Sequence, residues 1–340
     1  MRRMTYGSTA TAAGVLVLAG SAATAGPLNP KHIPDSARWV AHVDLEAGAA
    51  SEIGRFLLDA IDEDTEGYKD IRQGLPGFTL APEGGIDGMT IFGRSFDEDG
   101  PEEFVAYIYG DERIGAWGDQ IDNALRQGGQ DPASIEVEGR RAWGIPIEDG
   151  EETIFATLLS KGDARTWIIS NNLLKVSQAA AFVDKGGGDG GALDGFEWRP
   201  GTIAMVGVKD PGKVADFEEM SAVIGRAKSI TARVGERDGE FFAEAKAVTE
   251  DAEGADQIAR VLDGFVALGS MMQSNDPELA RLMRFSKSLH ISGEGGAVRV
   301  TFEHDAGEVL GLIRQLKEEG DDDVELHFGH GDDHDGGDDD

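Results

Sequence analysis

The 340-residue chain contains no cysteine. Without thiols it can form no disulfide scaffold, no thiolate metal site and no cysteine nucleophile, and its N-terminus cannot carry a lipid-modified cysteine. Its folded parts must therefore be stabilised by apolar cores. The composition allows this, because 40% of the residues are hydrophobic, although only 7% are aromatic. The length predicts two domains rather than one.

Positive charge is scarce. The chain has 31 Lys and Arg residues against 64 Asp and Glu residues, a formal net charge of −33. A field this negative repels the phosphate backbone of nucleic acids and disfavours an anionic membrane surface. The excess is spread along the chain, which favours a role in solubility. The alternative is an acidic surface that recognises a basic or cationic partner protein.

The first 25 residues have the three regions of a cleaved secretory signal. Arg2 and Arg3 form a basic start, residues 10–23 are apolar and small, and Ala23-Thr24-Ala25 has the small-x-small pattern that signal peptidase cuts. The apolar stretch is shorter than the roughly 20 residues that a membrane-spanning helix needs. We therefore expect cleavage after Ala25, a periplasmic or extracellular location, and no membrane association of the mature chain.

Alternating strand and helix patterns predict an α+β fold. In a first domain, residues 26–184, strands are expected at 39–45, 88–94, 104–109, 135–137, 142–147, 153–159 and 166–170, and helices at 49–61, 112–126 and 171–184. In a second domain, residues 201–317, strands are expected at 203–208, 229–234, 240–248, 288–292 and 297–303, and helices from 210, at 254–272, from 276 and at 305–316. The Gly-rich residues 185–200 are expected to be the linker.

The two domains share the order β-α-β-β-α-β-β, with an additional hairpin in the first and a closing helix in each. Val40-Ala41-His42-Val43 aligns with Ile203-Ala204-Met205-Val206, and residues 103–125 align with 240–262 with seven identities in 23 positions. This similarity predicts an internal duplication. Mainly antiparallel sheets with helices on one face are the expected result.

A Pro-containing lead (Pro30, Pro34) runs into the strand motif Trp39-Val40-Ala41-His42-Val43-Asp44. In this motif and in its repeated architecture the chain resembles uncharacterised secreted and periplasmic bacterial proteins built from repeated α+β units. The resemblance implies an exported protein. It assigns no activity and no functional residue.

No motif predicts catalysis. A serine nucleophile elbow, G-x-S-x-G, does not occur in the sequence, and carboxylates are too numerous for any pair to mark an acid–base site. Four histidines lie between the signal and the tail, and each is expected to be packed or at the surface: His32, His42, His290 and His304. The glycines at 186–188 and 190–191 follow a predicted helix rather than opening one, which favours a linker over a phosphate-binding loop.

One metal hypothesis concerns an acidic segment at the end of a predicted helix. Its spacing resembles the start of an EF-hand calcium loop, with candidate ligands at Asp62, Asp64, Glu66 and Asp70. The bidentate Glu at the twelfth position is replaced by Gln73. A solvated acidic helix end is therefore the favoured interpretation.

The other metal hypothesis concerns the C-terminal tail, residues 318–340, which has 12 acidic residues and no basic residue. Its imidazoles and carboxylates suit zinc, nickel or copper, with candidate ligands at His327, His330, His334, Asp332 and Asp333. The composition also fits a disordered, solvating tail, which we favour.

These patterns lead to the expectation of an exported, non-enzymatic protein with a binding or structural role and no tightly bound cofactor. Two alternatives remain open: a divalent-metal-binding or buffering protein that uses the tail, and an unrecognised hydrolase. The expected partner is an unidentified protein or a cationic molecule. The oligomeric state is not predicted.

Overall fold

The computed structural model describes residues 28–64, 79–80, 84–97, 100–127, 129, 135–147, 152–188, 199–214, 227–272 and 283–320. The strands of the first half are β1 (Trp39–Asp44), β2 (Ile86–Gly93), β3 (Phe96–Asp97), β4 (Gly100–Pro101), β5 (Phe104–Gly110), β6 (Ile135–Val137), β7 (Arg140–Ile147), β8 (Glu152–Lys161) and β9 (Ala164–Ser170). Those of the second half are β10 (Thr202–Lys209), β11 (Ala227–Arg237), β12 (Glu240–Thr249), β13 (Leu289–Glu294) and β14 (Ala297–Asp305). The α-helices are α1 (Leu45–Ala50), α2 (Glu52–Asp64), α3 (Trp117–Gln127), α4 (Leu173–Asp184), α5 (Ala252–Met272) and α6 (Ala306–Gly320).

The described residues form one twelve-stranded sheet and a separate β3–β4 hairpin. The order in the large sheet is β13-β14-β12-β11-β10-β1-β2-β5-β9-β8-β7-β6, and neighbouring strands pair antiparallel throughout. The predicted α+β fold with a mainly antiparallel sheet is thereby confirmed.

The two halves of the chain meet at the β1–β10 pair, where Ala41 lies opposite Val206. They therefore share one continuous sheet. Outward from this pair the strand order is β1-β2-β5-β9-β8 in the first half and β10-β11-β12-β14-β13 in the second, so the strands follow the same sequence of positions. The β6–β7 hairpin extends the first half further. The internal duplication itself stays a prediction.

The sheet has two faces, which we call face A and face B. Because cross-strand partners point to the same side and side chains alternate along a strand, the register assigns each residue to a face. Face A carries Val43, Met89 and Ile108. Face B carries Thr90 and Tyr107. Four helices pack on face A. Helix α1 contributes Leu45, and α3 contributes Trp117 and Ile121. Helix α5 contributes Ala255 and Ile258, and α6 contributes Val309 and Leu310.

Helix α4 departs from the expected arrangement, because it lies on face B. Its buried residues Val176, Ala179 and Ala180 pack on Tyr107 and Ile168. Residues 28–37 join the same cluster through Leu28, Ile33 and Ala37. The physical reason is the composition of the central strands of the first half. In β5, FVAYIYG, four consecutive residues are buried, so both faces need a cover.

Local capping explains where several helices begin and end. The single helix expected at 49–61 is two helices, because Ser51 ends α1 and its hydroxyl accepts a hydrogen bond from Gly54 N, 2.8 Å away, in the first turn of α2. Asp44 caps α1 by accepting from Glu46 N and Ala47 N, both at 3.0 Å. Helix α4 is capped by Asn172, one residue later than expected, through the amide of Leu174.

The first glycines of the expected linker have a structural role. Gly186 N donates to Val183 O and Gly187 N to Phe182 O, which is the pattern of a Schellman cap at the end of α4. Gly187 has φ +76°, and a Cβ there would meet Lys31 O at 1.9 Å. The helix end is thereby fixed to the N-terminal segment, while residues 189–198 lie outside the described residues. Residues 215–226 and 273–282, where further helices are expected, also lie outside them.

Candidate functional site

A cavity of about 170 Å³ lies between face B and helix α4. Its interior is mostly apolar, and it is lined there by Phe92, Val105, Tyr107, Ala179 and Phe182. Polar side chains surround its mouth: Arg94, Glu103, Lys175 and Gln178. The volume is close to that of an engineered apolar cavity of about 150 Å³ that takes up benzene. The space is therefore sufficient for a molecule the size of one ring.

The cavity follows from a mismatch between side-chain sizes. Helix α4 presents the small residues Ala179 and Ala180 to the sheet, and the strands beneath present aromatic rings. The ring centroids of Tyr107 and Phe92 are 5.4 Å apart, and those of Tyr107 and His32 are 5.8 Å apart. Rigid rings on one side and methyl groups on the other leave space that no side chain fills.

Tyr107 borders this cavity, and its hydroxyl is buried. The residue is 0% exposed, and its hydroxyl has no hydrogen-bond partner among the described residues. A buried hydroxyl without a partner costs about 1–3 kcal/mol. Burial raises the pKa of the phenol, and the neighbouring Tyr109 adds to this rise. The hydroxyl therefore stays protonated.

A second polar group lies on the same face and is satisfied internally. The Tyr109 hydroxyl is 3.3 Å from His32 Nδ1, and Thr90 also hydrogen-bonds to it. Thr90 Oγ1 is 2.7 Å from Nδ1 of His42, which is 1% exposed. Burial lowers the pKa of His42 to about 3. His42 is thus a neutral core residue. The hydrogen-bonded series of His32, Tyr109, Thr90 and His42 stabilises the sheet beside the cavity.

Glu103 forms a clamp at the mouth of the cavity. Its carboxylate accepts from Asn172 Nδ2 at 3.1 Å and pairs with Lys175 Nζ at 2.9 Å, which joins the start of β5 to the start of α4. The hydrogen bond from Lys175 is the largest cause that lowers the pKa of Glu103, and the charge of Arg94 contributes. Arg94 itself forms no ion pair with a described residue and is exposed. The mouth therefore has two cations and one anion.

A larger hollow of about 400 Å³ lies on face A beside α6. His304 connects two groups there: its Nδ1 is 2.9 Å from Ser288 Oγ and its Nε2 is 2.8 Å from Glu308 Oε2. This resembles the order of a serine hydrolase triad. Ser288, however, is not part of the lining of the hollow, so a substrate bound there would meet His304 and Glu308 without reaching the nucleophile. We therefore do not assign the site to this hollow.

The predicted metal ligands are not brought together by the described part of the chain. Asp62 and Asp64 lie at the end of α2, and their side chains are not described. The other candidates lie outside the described residues: Glu66, Asp70, His327, His330, His334, Asp332 and Asp333. Within the described residues, no three His, Asp or Glu side chains converge as metal ligands. Both metal hypotheses stay predictions.

Sequence reasoning did not identify the cavity. The alternation of Tyr107 and Tyr109 within an apolar run was a usable signal, because two hydroxyls on one buried face require partners. The clamp was not visible, because Glu103 and Lys175 are 72 positions apart in the sequence. The unfilled volume depends on the packing of α4, which no local pattern specifies.

No protein-family model and no curated protein matches the chain. Among solved structures, TP0453 in crystal forms III and I is similar at 13% identity, with TM-scores of 0.41 and 0.38; the comparisons cover 86% of this chain and 99% and 98% of those chains. A double ringed trimeric shell protein, MSM0271 from the RMM microcompartment, is similar at 14% identity with a TM-score of 0.12 over 64% of this chain and 83% of that one. Scores this low carry no conclusion about function.

None of the helices in the described part of the chain combines the length and the apolar character that crossing a bilayer requires.

Proposed function

We propose that this chain is an exported, non-enzymatic binding protein that takes a small, mostly apolar molecule into the cavity beneath α4. The observation that carries the proposal is the cavity itself, which holds about 170 Å³ and has a mostly apolar interior. Side chains in protein interiors pack closely and leave few voids of this size. An unfilled apolar space between a sheet and a helix therefore favours a ligand.

The chemistry of the lining favours binding over catalysis. The ionisable groups at the mouth include Glu103 and Lys175, which are already paired with each other, and Tyr107 is held in its neutral form. A nucleophile next to a general base is the usual requirement for acyl or glycosyl transfer, and the described lining has no such pair. The apolar interior and the few polar groups are typical of a ligand site.

The entrance also has a structural basis for ligand exchange. The Glu103–Lys175 ion pair is exposed on both sides, at 44% and 28% of the side-chain surface, so it contributes little to stability and opens at low cost. The other end of α4 is fixed by its Schellman cap and by the hydrogen bond from Gly188 N to Lys31 O. The first turn of α4 is therefore the end of the helix where we expect a ligand to enter.

Calorimetric titration of the purified protein with phenol tests this function. We expect saturable one-to-one binding. Ala179→Leu, which adds three carbons inside the cavity, should weaken it by roughly tenfold or more, equal to about 1.4 kcal/mol or more. Ala252→Leu, at an exposed position of α5, is the matched control and should leave the affinity unchanged.

The proposal is wrong if phenol shows no saturable binding. It is also wrong if Ala179→Leu binds phenol as tightly as the parent protein while remaining folded, since the ligand would then lie elsewhere. Circular dichroism and a thermal melt of each variant establish that it is folded.

A further inference from the structure

We infer that the acidic C-terminal segment, residues 321–340, docks on face B of the second half, across a row of cationic and hydroxyl side chains that runs over β11, β12, β14 and β13. The inference goes beyond the ligand cavity of the first half and does not depend on it. It assigns one occupant to a part of the sheet that no helix of the described residues covers. Three observations support it.

The first observation is the row itself. Thr231 lies opposite Lys246, Lys246 opposite Arg299, and Arg299 opposite Ser292. Cross-strand partners project from the same face with Cβ atoms about 4.5–5.5 Å apart. These four side chains therefore form a line about 14 Å long over four neighbouring strands. All four can donate hydrogen bonds and two are cations, so a chain of carboxylates matches this line.

The second observation is that the cations are not balanced locally. Lys246 is half-buried and forms no ion pair with a described residue, and like charges directly opposite each other destabilise a sheet. Arg299 shares the carboxylate of Glu244 with Arg233, at 2.7 Å and 2.6 Å. Three cations around one carboxylate leave an excess of positive charge. The Arg299 side chain is 44% exposed, so an incoming carboxylate can reach it.

The other acidic side chains of this face do not neutralise the row. Glu303 contacts Arg199 Nη2 at 2.6 Å. Glu240 is six residues from Lys246 along β12, about 20 Å away. Glu294 lies at the exposed end of β13, where solvent screens its charge. The row is therefore a cationic area within an acidic chain.

The third observation is the charge and reach of the C-terminal segment. It follows α6, which ends at Gly320, and lies outside the described residues. Its 20 residues include ten acidic side chains and no Lys or Arg. At about 3.3 Å per residue they can extend to about 66 Å, whereas the five strands of the second half are about 20 Å across. The segment is therefore long enough to pass from the end of α6 to face B.

Tethering favours this segment over an anion from solution. The net charge of −33 repels free anions at long range. A segment of the same chain is held near the row, at an effective concentration in the millimolar range. Contacts too weak to retain a free anion are therefore sufficient to retain the tethered one.

Carbodiimide cross-linking of the full chain tests this contact, because the reagent forms an amide bond directly between a lysine amine and an adjacent carboxylate. After digestion, mass spectrometry should find Lys246 joined to residues 321–340 at least roughly fivefold more often than Lys161, an exposed lysine of the first half. At about 1 M salt, where the screening length is about 3 Å, the Lys246 yield should fall by roughly the same factor.

Two arginine variants show whether the row attracts the segment. Arg299→Gln removes the cation beside Lys246 and should lower the yield of the Lys246 cross-link by roughly threefold. Arg260→Gln, at an exposed arginine of α5 over face A, is the matched control and should leave the yield unchanged. Circular dichroism of each variant establishes that it is folded.

A labelled peptide with the sequence of residues 321–340 gives a second measurement. In a full-length variant, the ten acidic residues of this segment are replaced by their amides, which leaves the row unoccupied. Fluorescence anisotropy should show that this variant binds the peptide roughly tenfold tighter than the parent chain, whose own segment competes.

The inference is overturned by equal cross-link yields at Lys246 and Lys161, by an unchanged yield in folded Arg299→Gln, or by equal peptide binding of the parent chain and the amide variant. Cross-links that join two chains would assign the segment to a second copy and would also overturn it. Phenol binding in the first half is measured separately, so none of these outcomes decides the proposed function.

Discussion

Face B of the sheet is built differently in the two halves of the molecule. In the first half it is covered by α4 and residues 28–37, and its strands contribute apolar and aromatic side chains to a core. In the second half no helix of the described residues packs on it, and the strands are joined by ion pairs. Glu244 Oε2 is 2.6 Å from Arg233 Nη2, and Glu244 Oε1 is 2.7 Å from Arg299 Nη1. One strand order therefore supports two kinds of surface.

The difference shows that strand order and site formation are separate properties. The first half has a cavity on face B because a helix covers apolar strands there and fills the space incompletely. In the second half, the corresponding strands carry charged side chains on face B, namely Arg233, Glu244 and Arg299. Site chemistry thus depends on what covers the sheet, and the sheet itself does not determine it.

The largest expected effect comes from the covered core. Ile168→Ala, at a position that is 0% exposed beneath α4, should lower the free energy of unfolding by about 4 kcal/mol. Thr301 is half-buried on the same face in β14, at the corresponding position of the second half. Thr301→Ala should lower the free energy of unfolding by less than about 1 kcal/mol. Urea denaturation measures both, and equal costs would show that face B is covered alike in the two halves.

His42 of the first half lies opposite Met205 in β10 of the second half. Acid should lower the stability of the protein through His42. The pKa of His42 falls from 6.5 to about 3 on burial, so the unfolded chain binds this proton more readily. Stability from the neutral ring is complete above pH 6.5 and is lost as the pH falls towards 3. At pH 4 the loss is on the order of 3 kcal/mol. His42→Met, which copies the residue of the second half, should remove this part of the acid sensitivity, measured by denaturation at pH 7 and pH 4.

Asp44 provides the opposing control. Burial raises the pKa of its carboxyl group from 3.8 to about 6, more than the helix-capping bonds from Ala47 and Glu46 lower it. A raised acid pKa means that the folded state holds the proton more tightly, so this group adds stability as the pH falls from 6 towards 3.8. Asp44→Asn should therefore steepen the acid loss of the parent protein. If the stability of His42→Met depends on pH as the stability of the parent protein does, the neutral buried ring of His42 is not the source of the acid sensitivity.

The ion pairs of the second half should show a smaller effect. Glu244→Gln leaves Arg233, whose side chain is 11% exposed, beside a neutral amide. We expect a loss on the order of 2 kcal/mol, below the roughly 3–5 kcal/mol of a fully buried pair, because Arg299 is partly exposed. Glu240→Gln, at an exposed position of the same strand and face, removes the same charge without these contacts and should change stability by less than about 0.5 kcal/mol. Equal effects of the two substitutions would exclude a structural role for this network.

The smallest expected effect on stability comes from two tyrosines on face B of the first half. Tyr107→Phe removes a buried hydroxyl without a described partner, so the empty protein should be stabilised by about 1 kcal/mol. Tyr109→Phe removes a hydroxyl that contacts His32 and should destabilise it by about 1 kcal/mol. Thermal melts of both variants provide the comparison. A destabilised Tyr107→Phe would mean that its hydroxyl has a partner already.

Most of the fold could be predicted from the sequence, because the strands are bounded by clear turn signals such as Glu138-Gly139 and Asp238-Gly239, whose residues have positive φ. The position of α4 was not predictable in the same way, since its buried residues fit either face of a sheet. The register that puts Tyr107 beneath Ala179 is a tertiary property. Of the candidate site, only the buried aromatic run of β5 is visible in the sequence; the clamp and the empty volume require the packed structure.

The most direct test of the binding account is a crystal structure of the protein soaked with 4-iodophenol, in which the anomalous signal of iodine locates the ligand. We predict a peak in the cavity of the first half, beneath α4, among Phe92, Val105 and Ala179. A peak in the hollow beside His304 instead, or an empty cavity beneath α4 at saturating ligand, would contradict the account.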